Sequence, residues 1–126
     1  MNKSSERKSI AVLLSAYNGE KYIAKQIESI EKQTVNRDIT LIIRNDGSTD
    51  NTFNILDQLS KKYPNIIVIN GKNIGLIRSF FTLLQIAVNK YDFDYYSFSD
   101  QDDYWQRDKL EKAVLKLKNE KEEIPL

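Results

Sequence analysis

The sequence contains no cysteine and no histidine. The lack of cysteine excludes disulfides, thiolate metal sites and cysteine nucleophiles. The lack of histidine removes the commonest general base and the commonest metal ligand. Any metal site must therefore be built from oxygen ligands, which favours Mg²⁺, Mn²⁺ or Ca²⁺.

Strong net charge and long apolar runs are also missing. The 19 basic and 18 acidic residues leave a net charge of +1, so no basic face for nucleic acid is expected. No apolar run approaches the roughly 18 residues that span a bilayer. The first eight residues are polar and lack the apolar centre of a signal peptide. We expect a soluble, cytoplasmic domain that can still meet the inner face of a membrane through other parts of a full-length protein.

Alternating apolar runs and helical patterns indicate the fold class. Strands are predicted at 10–15, 39–44, 66–69 and Tyr95–Ser99, and each is followed by apolar residues at helical spacing. This β-α order predicts a single α/β domain with three layers, a mostly parallel, doubly wound sheet and right-handed crossovers. For the third helix, at about 76–89, the pattern predicts that Ile77, Phe80, Phe81, Leu84 and Val88 face the core.

The most distinctive stretch is the acidic turn after the fourth strand. Asp100, Asp102 and Asp103 follow its aromatic run directly. Ligands bind at the carboxyl ends of the strands in open α/β sheets. Two carboxylates two residues apart can share a divalent cation that bridges a diphosphate, although such a turn can also be acidic without binding a metal.

Four segments in this order carry a resemblance to a known family. They are Ser-Ala-Tyr-Asn at 15–18, Asn-Asp-Gly-Ser-Thr-Asp at 45–50, Asn-Ile-Gly at 73–75 with Arg78, and Ser-Asp-Gln-Asp-Asp-Tyr-Trp at 99–105. Together they resemble the family 2 glycosyltransferases of the GT-A fold, and among these the bacterial rhamnosyltransferase-like members. The resemblance covers nearly the whole chain, from about residue 10 to residue 117. One departure is Ser79, where the family often has asparagine.

The resemblance implies a pocket for a nucleotide-sugar at the first two strand ends. Ser15, Ala16 and Tyr17 would line the base and ribose pocket, and Glu20 is assigned to the same nucleotide site. Asp46 would accept a hydrogen bond from the ring N–H of uracil or thymine, which cytosine lacks. A plain strand-to-helix turn, or an Asp-Gly turn at Asp46, is the structural alternative, and both roles can hold together.

The later segments imply phosphate and metal binding. Arg78 would lie near the base or the phosphates, unless it is an ordinary solvent-facing arginine. Asp102 matches the metal-binding carboxylate, and Asp100 would hold Mn²⁺ or Mg²⁺ through water or bind the ribose hydroxyls. The metal would offset charge on the leaving nucleoside diphosphate. Asp103 is interpreted as capping the turn. Trp105 is interpreted as a packing residue, with stacking on the sugar as its alternative role.

The resemblance also implies what this chain lacks. These enzymes transfer a sugar from a UDP- or dTDP-sugar to a glycan or lipid-linked glycan acceptor with inversion, and their base lies in the acceptor-binding half. No carboxylate after the acidic turn matches that base, so we expect it beyond Leu126, the last residue, and assign no catalytic residue to this chain.

We therefore expect residues 1–126 to be one donor-binding domain that stops before the acceptor-binding half. It should bind nucleotide and metal and have little or no transfer activity. An uncovered sheet edge would also favour a homodimer.

Three other functions compete with this interpretation. A nucleotidylyltransferase needs a glycine-rich, arginine-containing loop after the first strand, which residues 15–20 do not provide. A phospho-receiver module needs acidic residues where Ser15 and Ala16 stand. A non-catalytic nucleotide-binding or interaction module of the same fold stays open, because fold does not imply function.

Overall fold

The computed structural model describes residues 9–34, 38–100 and 104–121, in which strands and helices alternate as predicted. The elements within these ranges are β1 Ser9–Ala16, α1 Ile23–Glu31, β2 Asp38–Asp46, α2 Thr52–Lys62, β3 Ile66–Gly71, α3 Leu76–Lys90, β4 Tyr95–Ser99 and α4 Lys109–Lys121. No helix in this described part of the chain is long and apolar enough to cross a membrane.

The four described strands form one parallel sheet in the order β3-β2-β1-β4. The chain moves outward from β1 to β3 and then returns past β1 to add β4 on the other side. The direction of winding therefore reverses between β1 and β4, which is the kind of position where open α/β sheets bind ligands. The predicted parallel, doubly wound sheet is confirmed.

Both faces of the sheet are covered by helices, which explains the continuous apolar runs of β1 and β2. On one face, side chains such as Val12 and Leu41 pack with the apolar residues of α1, α2 and α4. On the other face, Leu13 and Ile42 pack with the apolar residues of α3. Because successive strand residues point to opposite faces, a strand buried on both sides needs apolar residues at nearly every position.

The orientation of α3 differs from the prediction. Ile77, Phe81 and Val88 are 72%, 63% and 52% exposed, whereas Ser79, Leu83 and Ala87 are buried against the sheet. The other two predicted core residues, Phe80 and Leu84, are partly buried. The helix carries apolar side chains around most of its circumference, so its sequence did not specify which stripe would face the strands.

The turns after β1 and β2 are joined by side-chain to backbone hydrogen bonds. Thr49 N donates to Asn18 Oδ1 (2.8 Å), Asn51 N donates to Glu20 Oε1 (2.9 Å) and Glu20 N donates to Asp50 Oδ2 (3.2 Å). Although desolvation opposes the effect, hydrogen bonds from the Thr52 side chain and backbone and from the Glu20 backbone hold the pKa of Asp50 below its usual value. Glu20 lies before α1, which begins at Ile23, and not in the first turn of that helix.

We expect Leu83→Ala to lower the free energy of unfolding by about 2–5 kcal/mol, because it removes a fully buried side chain and leaves a cavity. The matched change on the exposed side of the same helix, Ile77→Ala, should stay within about 0.5 kcal/mol. Urea denaturation of both variants measures the difference. Equal losses would contradict the orientation of α3 in which Leu83 faces the sheet and Ile77 faces solvent.

We expect Asp50→Asn to flatten the acid limb of the stability curve. A carboxyl group with a lowered pKa in the folded state contributes stability above its unfolded value of 3.8, and that contribution is lost as the pH falls toward the folded value. Urea unfolding between pH 7 and pH 2.5 should show a smaller loss below pH 4 in the variant. An unchanged profile would show that the Asp50 hydrogen bonds do not favour its charged form.

Candidate functional site at the carboxyl edge of the sheet

A cavity of about 400 Å³ opens where β1, β2 and β4 end and α3 begins. It is lined by Ser15, Tyr17, Asp46, Asn73, Gly75, Leu76 and Asp100. Four of the predicted nucleotide-binding residues, Ser15, Tyr17, Asp46 and Asp100, therefore meet in one place, although they come from three separate strand ends. A second, apolar cavity of about 380 Å³ adjoins it and shares Leu76 and Asp100.

Asp46, the last residue of β2, organises one wall of this cavity. Its side chain is nearly fully buried, and both carboxylate oxygens accept hydrogen bonds. Oδ1 accepts from Arg44 Nη1 (2.5 Å) and Ile74 N (2.9 Å), and Oδ2 accepts from Gly75 N (3.0 Å) and Asn73 Nδ2 (3.3 Å). The carboxylate thus fixes the loop 72–75, of which Asn73 and Gly75 line the cavity.

Arg44 is a site residue that the sequence analysis did not identify. It lies two residues before Asp46 on β2, so both side chains point to the face covered by α3. Its guanidinium donates to Asp46, to Ser79 Oγ (3.2 Å) and to the Lys72 carbonyl (3.1 Å). Ser15 Oγ completes this buried cluster by donating to Ser79 Oγ at 2.6 Å. The available signal was that Arg44 is the single charged residue of the predicted strand 39–44.

The loop 72–75 also lies close to the turn that follows β2. Gly47 has a φ of +72°, and a Cβ atom there would be only 2.6 Å from Asn73 N. The predicted Asp-Gly turn is therefore present, and the glycine is required both for its backbone conformation and for the close approach of the loop. Asn73 Nδ2 adds a hydrogen bond to the Asp46 carbonyl at 3.1 Å.

The other three predicted nucleotide-binding residues, Ala16, Glu20 and Arg78, do not line the cavity. Ala16 is fully buried within the apolar core, so only its backbone is available to a ligand. Glu20 is exposed in the β1–α1 turn, and its carboxylate accepts the hydrogen bond from Asn51 N. Arg78 is exposed on the first turn of α3.

The residues on either side of the acidic turn are hydrogen-bonded to α1. Ser99 Oγ, at the end of β4, accepts a hydrogen bond from Gln26 Nε2, and Trp105 N donates to Ser29 Oγ at 3.0 Å. Trp105 is 2% exposed within the core shared by α1 and α4, which confirms its predicted packing role. These contacts fix where the turn leaves and rejoins the fold.

The metal-binding prediction falls mostly on residues that the structure does not describe. Asp102 and Asp103 lie in the gap at 101–103, while Asp100 is exposed at the end of β4 beside the cavity. Within the described ranges, no three acidic residues are grouped so that they could hold a metal ion. The donor chemistry of Asp100 with a neighbouring aspartate is that of an oxygen site for Mg²⁺ or Mn²⁺.

The predicted position of the catalytic base also falls outside the described residues. Leu126, beyond which the base is expected, follows the last described residue, Lys121. The structure therefore does not test this expectation, and the placement of the base stays a prediction.

The chain is similar to known glycosyltransferases in both sequence and structure. It is 40% identical over 104 residues to the dTDP-rhamnosyl transferase RfbG of Shigella flexneri, an overlap of 80% of this chain and 35% of RfbG. A crystal structure of residues 1–349 of S. aureus TarS in complex with UDP superposes with a TM-score of 0.74 and 25% identity, over 88% of this chain and 32% of that one.

A third protein shares the fold. The mannosyltransferase PcManGT of Pyrobaculum calidifontis, solved in complex with GDP-Man and Mn²⁺, matches with a TM-score of 0.71 and 23% identity, over 88% of this chain and 32% of that one. The chain thus spans about a third of the length of these relatives. The family described as Glycosyl transferase family 2 matches residues 11–125. The chain therefore belongs to glycosyl transferase family 2 and has the GT-A fold.

Proposed function

We propose that this chain forms the donor-binding part of a glycosyltransferase that uses a UDP- or dTDP-sugar and a glycan or lipid-linked glycan acceptor. The carrying observation is the cavity that gathers Ser15, Tyr17, Asp46 and Asp100 at the carboxyl edge of the sheet. Its position at the reversal of strand order supports a ligand site. The UDP bound by TarS and the dTDP-rhamnosyl transfer by RfbG support the nucleotide class.

Asp46 is proposed to recognise the base. Each carboxylate oxygen of Asp46 already accepts hydrogen bonds from two donors, so a ligand that binds the carboxylate must replace one of these donors. The Asn73 contact to Oδ2 is the longest, at 3.3 Å, and Asn73 Nδ2 keeps its bond to the Asp46 carbonyl if that contact is lost. The ring N–H of uracil or thymine would take its place, so the site would accept either base.

The turn after β1 is proposed to hold the rest of the nucleoside. Ser15 and Tyr17 line the cavity directly, and Ala16 can contribute only backbone groups. Glu20 would act mainly by holding this turn against residue 51. Arg78 is assigned to the base or the phosphates, and it reaches them only if its side chain turns from solvent toward the cavity.

Asp102 and Asp100 are proposed to hold Mn²⁺ or Mg²⁺, which when bound would offset charge on the leaving nucleoside diphosphate. Asp100 already lies at the cavity, so the carboxylate and the nucleotide residues share one site. Two carboxylates after the acidic turn are engaged elsewhere: Asp108 pairs with Lys112, and Glu111 accepts a hydrogen bond from Thr34. We therefore assign neither as the base that would give inversion, and we expect little or no transfer by this chain alone.

Calorimetric titration of UDP and dTDP, with and without Mn²⁺, tests this proposal. We expect binding that Mn²⁺ strengthens, and Asp102→Ala should weaken it by at least about tenfold, a loss that even outer-shell changes cause at metal sites. CDP should bind about 10- to 100-fold more weakly than UDP, because it cannot donate to Asp46 and a hydrogen bond to a charged group contributes about 1.5–3 kcal/mol.

The matched control is Asp92→Ala, which removes an exposed carboxylate at the opposite edge of the sheet and should leave binding unchanged. Absence of binding to wild-type protein under every condition would overturn the proposal. Nucleotide binding that is equally strong with and without Mn²⁺, and that Asp102→Ala does not weaken, would favour a non-catalytic nucleotide-binding module instead.

We further infer that two copies of this chain associate through the α3–β4 apolar face, which comprises Leu76, Ile77, Phe81 and Phe98. These side chains are 58%, 72%, 63% and 54% exposed, and β4 is an edge strand among the described strands. An unpaired parallel edge beside exposed apolar side chains favours pairing with another strand.

Light scattering coupled to size-exclusion chromatography should therefore give the mass of a dimer at high protein concentration. Phe81→Glu should shift it to the monomer, because the charge would be buried at the interface. The same change at the half-exposed Phe53 on α2 is the control and should leave the dimer intact. A wild-type monomer throughout would contradict the inference.

A further inference from the structure

A buried guanidinium supports the wall of the cavity from behind. Arg44 is 6% exposed and does not line the cavity. Its two terminal nitrogens reach three acceptors in different directions: Asp46 Oδ1, Ser79 Oγ and the Lys72 carbonyl. Gly71 leaves room for it, since a Cβ atom there would lie 2.9 Å from Arg44 Cζ.

These contacts hold the loop 72–75 at both ends. At its start, Arg44 Nη2 binds the Lys72 carbonyl directly. At its end, Arg44 Nη1 binds the Asp46 carboxylate, which accepts the N–H groups of Ile74 and Gly75. The position of the cavity wall therefore depends on Arg44 as well as on Asp46, although Arg44 lies outside the cavity lining.

The geometry favours arginine over any other cation. A planar guanidinium donates along several fixed directions, whereas a lysine ammonium is a compact group on a flexible stem. Buried ion pairs often add little to stability, because desolvation offsets the attraction between the charges, but they can specify one arrangement of the chain. The arrangement that this pair specifies is the loop beside the candidate base site.

We propose that Arg44 is a positioning residue: through Asp46 and the Lys72 carbonyl it sets the loop 72–75 and thereby the affinity for the nucleotide. This inference rests on the proposed function of the cavity. Arg44 acts on the ligand only through these groups, so its loss should change the order of the loop and the nucleotide affinity together.

Arg44→Lys tests the proposal with two measurements on the whole chain. Amide hydrogen exchange, followed by NMR without ligand, should show that the Ile74 and Gly75 N–H groups exchange at least about tenfold faster in the variant, because Asp46 loses its fixed partner. UDP titration with Mn²⁺, corrected for the folded fraction, should show an affinity at least about tenfold weaker, the loss expected when a charge-assisted hydrogen bond is removed.

Arg107→Lys is the matched control, since it makes the same change at an exposed position before α4 and should alter neither measurement. If Arg44→Lys does not fold, Ser79→Ala removes one of the three acceptors and should give smaller changes of the same sign.

The outcomes separate this inference from the proposed function. Unchanged exchange and affinity in the variant would overturn the inference, and faster exchange with unchanged affinity would reduce Arg44 to a structural residue and overturn it as well. If the Ile74 and Gly75 N–H groups of the wild-type protein are protected but UDP does not bind, the proposed function is overturned. The link between Arg44 and nucleotide affinity is then overturned as well, whereas the anchoring of the loop 72–75 by Arg44 stands.

Discussion

The candidate site depends on how the buried charge of Asp46 is satisfied. A carboxylate removed from water needs opposite charge and hydrogen-bond donors, and here they come from β2 itself and from the loop before α3. Meeting that requirement fixes the loop, and the loop forms the wall of the cavity. The hydrogen bonds that satisfy one buried carboxylate thus determine the shape of the site.

Sheet topology decides which turns can share this site. Because β4 adds beside β1 rather than beyond β3, the acidic turn comes next to the turns that follow β1 and β2. Ser15 and Arg44 are register neighbours on these central strands, and Leu14 is paired with Ser99. The contacts of Gln26 and Ser29 then hold Ser99 and Trp105, the residues on either side of the acidic turn, against the core.

The polar cluster of Ser15, Arg44 and Ser79 explains which side of α3 faces the sheet. The hydroxyl of Ser79 meets the Arg44 guanidinium and the Ser15 hydroxyl, and the small Ala87 lies on the same buried side. A polar contact at the first turn therefore selects a buried stripe with less apolar surface than the neighbouring one. As a result, apolar side chains of α3 such as Ile77 and Phe81 are exposed, and this exposed face continues onto Phe98 of β4.

The sequence by itself determined the element order, the parallel α/β class and the edge at which Asp46 and Asp100 meet, because strand periodicity and connection rules are local. Only the tertiary structure decided the contacts of Arg44, the buried stripe of α3 and the burial of Ala16. Arg44 and Ser79 are 35 residues apart, and nothing near either residue in the sequence specifies the other. Contacts of this kind arise when distant segments must satisfy one another's buried groups, which a local pattern does not encode.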